Sequence, residues 1–270
     1  MNRIDPMVDV AFKMIFSEED LLKSFLNSFL DFEIKNLKIS HQVPTKKENI
    51  KDKESFLDII ASTKDGKIIN IEVQLSKQSF YEKRSLFYAS KLVTGDLKVS
   101  EEYTEIPKVI SINILDFVIF NEIKVFKTHF VMYERQQEVV LKSHPETYFI
   151  EMPKISRKDL TLNNKFHHWL LFLKPSKNES LYKEVIKLDN NIKKAEKKVQ
   201  NIAQDPKLKA IYDARFKQLT DEANRLSTAK KEGEIKGDTK RSKSVIEHMR
   251  EKGYNDDEIK DLTGIDPKNY

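Results

Sequence analysis

In "INIEVQL", residues Asn70, Glu72 and Gln74 alternate with Ile69, Ile71, Val73 and Leu75, and upstream Asp58 stands between Leu57 and Ile59. At the period of a strand this puts a carboxylate and two carboxamides on one face and the branched apolar side chains on the other. Carboxylate and carboxamide oxygens are hard donors, suited to a divalent cation. The bland alternative is the wet side of a half-buried hairpin.

The turn decides between the two. "FLDIIAST", "KDG" and "KIINIEVQL" read as a hairpin about Asp65-Gly66. A two-residue loop pairs Asp58 with Val73 and sends the carboxylates to opposite faces. A three-residue loop over 64–66, with Gly66 left-handed, pairs Asp58 with Glu72. Carboxylates on facing positions, with Cβ atoms roughly 5 Å apart, repel unless a cation lies between them.

The surrounding segments must position this hairpin. Residues 7–30 carry Phe12, Ile15, Phe16, Leu22, Phe25 and Leu26 at spacings of three and four, which predicts helices broken near Ser17, with Ser17 as an N-cap. A strand is expected around Ile34–Val43, an exposed loop over 44–55, a helix in "FYEKRSLFYASKLVTGDL" and a long strand in "PKVISINILDFVIF". Strands in "THFVMYERQQEVVL" and "TYFIEMPKI" and a helix around Trp169 complete an α/β or α+β domain over 1–175. Beyond it we expect a polar helical extension projecting from the core over 176–240, then a small helix-turn-helix-like element over 241–270 with its turn at Gly253 and a stop at Gly264.

Composition narrows the chemistry. The absence of cysteine excludes thiolate metal sites, iron–sulfur clusters and cysteine nucleophiles. His167 and His168 are adjacent and so diverge on a helix, which favours packing over zinc. Residues 1–175 hold only Gly66 and Gly95, too few for a phosphate-cradling loop, so no nucleotide cofactor is expected. No signal peptide or membrane-spanning run is evident, so the expected location is the cytoplasm, with no membrane partner. The formal charge of +5 allows nucleic acid without demanding it, and most of the excess lies after residue 175.

Several segments in order resemble one known group: "DVAFKMIF", "LLKSFLNSFL", "LDIIAS", "NIEVQ", "RSLFYASKL", "KVISINILDF" and "YFIEMPKI". They look like the PD-(D/E)xK nuclease superfamily and, within it, the recombination-promoting nuclease and transposase-like group. The resemblance implies a restriction-endonuclease-like central mixed sheet flanked by helices, with a helical C-terminal extension. It implies a Mg²⁺-dependent DNA endonuclease, with Mn²⁺ as an alternative ion, in which Asp58 and Glu72 hold the metal.

Gln74 stands where the superfamily usually has lysine, a feature of the narrower group, and Lys13 or another nearby cation is then expected to take over the missing positive charge. Asp9 and Lys13 share one helix face at i and i+4, matching the group's "D-x-x-F-K"; an ordinary surface ion pair is the other reading. Arg84 and Tyr88, also one turn apart, either touch DNA phosphates or brace the sheet. DNA is the expected partner, with a homodimer as the assembly. A catalytically degenerate nuclease fold acting as a DNA- or protein-binding module is the rival.

Overall fold

The structure is a computed structural model, and it describes residues 3–40, 59–94, 104, 106–141 and 145–270. Asp58 and the loop expected over 44–55 lie outside the described residues.

The hairpin closes through three residues. β1 (Leu37–Ser40) precedes β2 (Ile59–Thr63) and β3 (Ile68–Gln74), and β2 pairs with β3 so that Ile59 faces Ile71 and Ala61 faces Ile69. The Thr63 amide donates to the Lys67 carbonyl at 3.0 Å, and the Gly66 amide to the Thr63 carbonyl at 3.1 Å. Gly66 has φ +80°, the left-handed conformation that suits glycine at the third loop position. This is the longer of the two loops considered, and its register continues unslipped to Ile59.

The hairpin is part of a six-stranded mixed sheet. After α3 (Tyr81–Thr94) come β4 (Val109–Leu115), β5 (Lys127–Phe130), a small ribbon of β6 (Tyr133–Glu134) and β7 (Val139–Val140), and β8 (Glu146–Glu151). The order is β1-β2-β3-β4-β8-β5, with β3, β4 and β8 parallel and the others antiparallel to their neighbours. Parallel neighbours need a crossover, which α3 supplies between β3 and β4. The run "VISINIL" is buried along its whole length, as expected of a strand covered on both faces.

The two faces differ in chemistry. One carries Ile69, Ile71 and Val73 of β3 with Ile110, Ile112 and Ile114 of β4, all buried. It packs against α1 (Asp9–Phe16), α2 (Glu19–Asn27) and α4 (Lys165–Leu173), whose Phe16, Phe25 and Trp169 rings lie 5.3 to 5.8 Å apart. The other face carries Asn70, Glu72, Ser111 and Asn113, all buried, and α3 covers it. The helix break falls at Ser17 as the spacing predicts, but the cap does not form. Ser17 Oγ turns back to the Met14 carbonyl at 2.9 Å, and α2 starts after Glu18 without a side-chain cap.

The stretch after 175 does not project from the core at first. α5 (Glu179–Leu188) and α6 (Asn190–Gln204) are capped by Asn178 and Asp189, and Ile192, Ala195, Val199 and Ile202 of α6 are fully buried. The chain forms two compact units, Met1–Arg215 and Phe216–Tyr270. α7 (Pro206–Glu251) starts in the first and ends in the second.

In the second unit a turn at Gly253 (φ +89°) leads to α8 (Asp256–Thr263), opened by a reciprocal Asn255–Glu258 capping box and closed by Gly264 at φ +72°. Asp256, Asp257 and Glu258 fill the first turn of α8, which would repel phosphates where a DNA-reading helix enters the groove. Ile246, Ile259 and Pro267 form its small core.

Candidate active site

Glu72 is 2% exposed near the middle of β3, on the face under α3. Its register partner on β4 is Asn113, and Asn70 one step back faces Ser111. Asn113 is held from three sides: Tyr81 Oη donates to its Oδ1 at 3.0 Å, and its Nδ2 donates to Ser111 Oγ at 3.3 Å and to the Tyr148 carbonyl at 3.2 Å. Tyr81 opens α3, so this bond ties the helix to the sheet beside Glu72.

One turn on, Ser85 is also buried. Neither its hydroxyl nor either polar atom of the Asn70 carboxamide has a hydrogen-bond partner among the described residues. Buried polar atoms are nearly always satisfied, so the partners of this amide, beside a buried carboxylate, are groups other than the described residues, an ordered water or an ion among them.

The polar stripe opens toward solvent at its carboxyl end. Gln74 is half-buried, and its carbonyl accepts the Asp116 amide at 2.9 Å. Asp116 pairs with Lys174 at the end of α4, and Lys77 Nζ donates to the Val118 carbonyl at 3.1 Å. Burial pushes the Asp5 carboxyl above its usual range, against the Met7 amide and Lys174, which favour its charged form. Cations therefore stand just after α4 and just after β3, at the end of the sheet that holds Gln74.

The other expected site residues fall in different places. Asp9 is engaged by Arg215, which donates Nε at 2.9 Å to both carboxylate oxygens and Nη2 at 2.7 Å, tying α1 to the start of α7. Lys13 follows one turn later, half-buried on α1, the helix packed over β3. Arg84 donates to Gln78 Oε1 and lies 5.2 Å from the centroid of Tyr88. Tyr88 itself is 8% exposed, in the layer between α3 and the sheet. His168 is tied to Asp189 at 2.8 Å and to the Leu162 carbonyl at 2.9 Å, while His167 accepts the Thr161 amide at 3.1 Å, so both histidines serve packing.

Asn113, Ser111, Tyr81 and Ser85 were not singled out from the sequence. Ser111 and Asn113 did carry a signal, since they interrupt an apolar strand at the same period as Asn70 and Glu72.

A divalent cation fits the donors present. Glu72 offers a carboxylate, and Asn70 Oδ1 is a hard oxygen with no partner among the described residues. Among the described residues no three His, Cys, Asp or Glu side chains gather as a metal site. No helix among them is long and apolar enough to cross a membrane.

No curated protein and no solved structure matches the chain significantly. A family model described as PD-(D/E)XK nuclease family transposase matches residues 6–229, which takes in the whole six-stranded sheet, the polar stripe and the helices on both faces. The chain belongs to the PD-(D/E)XK nuclease family transposases.

Proposed function

We propose that the protein is a metal-dependent endonuclease that hydrolyses DNA phosphodiester bonds, in recombination or mobile-element transactions. The observation that carries this reading is the buried Glu72, set by a three-residue turn into a polar stripe that ends at Gln74, in a chain of a nuclease family.

Asp58 and Glu72 would hold the ion, Mg²⁺ or Mn²⁺, with Asn70 Oδ1 beside them. When bound, such an ion supplies Lewis-acid polarisation of phosphate and water. Glu72 is set for this by the Asn113–Tyr81 contact next to it. Gln74 orients water and phosphate through its carboxamide but brings no charge. A nearby cation supplies that charge: Lys13, on α1 over the opposite face of the sheet and tied through Asp9 to Arg215, or Lys77 just after β3. Arg84 receives a flanking phosphate from its perch on Tyr88.

The test is Mg²⁺-dependent nicking of supercoiled plasmid by the full chain and by Asp58→Ala and Glu72→Gln, with thermal melts to verify folding. Each variant is expected to lose at least roughly 10²-fold in rate, the order of loss for a group that supports the reacting charge. Equal cutting by folded variants ends the proposal. The buried position of Glu72 and the missing lysine favour one rival, a degenerate fold that binds DNA or protein without cutting. Metal-free DNA binding with no cleavage by the unaltered chain would select it.

A further inference from the structure

α3 is inside out. Its sheet-facing side carries Tyr81, Ser85, Tyr88 and Ala89, including a serine with no hydrogen-bond partner among the described residues. Its solvent side carries Phe80, Leu86 and Phe87, at 66%, 57% and 49% exposure. Burial of large apolar side chains drives folding, so folding alone does not account for three of them standing exposed together.

Phe80 is anomalous twice more. It has φ +57°, a left-handed conformation costly for a bulky residue and characteristic of functional positions. It also occupies the N-terminal boundary of α3, with its carbonyl accepting the Lys83 and Arg84 amides at 3.1 Å, a place where short polar residues are favoured.

Each exposed ring is accompanied by a cation. Lys83 Nζ lies 5.1 Å from the Phe80 centroid and Lys91 Nζ 5.4 Å from that of Phe87. Residues 83, 87 and 91 follow at i, i+4 and i+8, so rings and ammonium groups share the side of the helix away from the sheet.

We propose that this outward side of α3 is a stacking platform for unpaired DNA bases, with Phe80 and Phe87 under the bases and Lys83 and Lys91 on the adjoining phosphates. Alternating aromatic faces and cations are what a single strand offers partners for, because every unpaired base has a π-face and every link a phosphate. An intact duplex keeps its base faces stacked inside and shows only their edges, so it would leave the two rings uncovered. The platform lies on the helix that covers Glu72. The inference rests on the nuclease reading and sharpens it: the substrate has a single-stranded, frayed or flipped-out portion beside the cut.

The test uses the full chain in EDTA, so that binding is read without cleavage. Fluorescence anisotropy with a labelled oligothymidylate and with a duplex of equal length is measured for the unaltered protein, Phe80→Ala, Phe87→Ala and Lys83→Ala/Lys91→Ala. We expect the single strand to be preferred and each ring removal to weaken it roughly tenfold with little change on duplex. The double lysine variant should flatten the dependence of log K on log salt by roughly 1.4, two phosphates at about 0.7 each. Phe80→Gly, which removes the ring but relieves the backbone, should melt no lower than the parent and still lose strand affinity.

Equal losses on duplex, or none on single strand, overturn the proposal. So do ring variants that lose only binding to phosphatidylserine vesicles, or that only change the sedimentation coefficient, because the face would then serve a membrane or a second copy. Failure of the nuclease reading is seen separately, as plasmid nicking unaffected by Glu72→Gln.

Discussion

A primary amide removed from water without replacement partners costs roughly 1–3 kcal/mol. Asn70 carries such an amide in the buried stripe beside Glu72. Replacing it by a branched apolar residue that suits a central strand should relieve that cost, so Asn70→Val is expected to raise stability by about 1 kcal/mol in denaturant titration. The same variant should nick plasmid more slowly, and a gain in both properties would separate Asn70 from the site. Gln74 and Lys13 allow a rescue experiment. If the ammonium group of Lys13 stands in for the missing lysine, Lys13→Ala should slow nicking by roughly 10²-fold, and Gln74→Lys added to it should recover part of that loss.

The hairpin turn sets which side of the sheet each of these residues reaches. A Cβ at Gly66 meets nothing within 4 Å, so the penalty for Gly66→Ala is conformational alone, from φ +80°. About 1 kcal/mol of destabilisation is expected, and Gly66→Asn, which tolerates the left-handed region, should lose less. This turn was legible because glycine at the third loop position has one good solution. The polar strand faces were legible too, since a period of two survives in Asn70, Glu72 and Gln74 and again in Ser111 and Asn113. What escaped was the cover: whether Tyr81 and Ser85 or Phe80 and Phe87 face the sheet depends on how the crossover helix rolls, and the larger apolar residues suggest the wrong answer. For α6 the spacing of Ile192, Ala195, Val199 and Ile202 formed an apolar face that looked sparse among lysines until α1, α2 and α4 came against it.

In the first unit charge pairs bind distant segments together. Lys194 of α6 meets Glu18 and Asp20 at 2.6 Å, and Lys198 also meets Glu18. Lys194 holds the Glu18 and Asp20 carboxyls below their usual range, with Lys198 adding to the effect on Glu18. Burial works against ionisation of Glu146, yet Lys108 and His129 bring its carboxyl below the usual range as well. Carboxyls depressed in the folded state contribute stability that is complete above their ordinary values near 4 and fades as pH drops through the folded ones. The melting temperature should therefore fall on acidification below about pH 5. Lys194→Met should shallow that fall, and high salt should shallow it further, because the α6 pairs are exposed. An acid limb unaltered in Lys194→Met would remove these pairs from the account.

Within α7, residues 220–238 are exposed on every side and include Gly233 and Gly237. A helix polar all round gains nothing from burial, and each glycine weakens it by roughly 1 kcal/mol relative to alanine. Its hydrogen bonds then open by local fraying, while those of β3 and β4 wait for the sheet to come apart. In deuterium exchange the span should label long before either strand. A protease added in trace amounts reads the same difference as a choice of address: between this span and the two strands, cleavage should fall between Thr220 and Asp238 and spare β3, which carries Glu72, and β4.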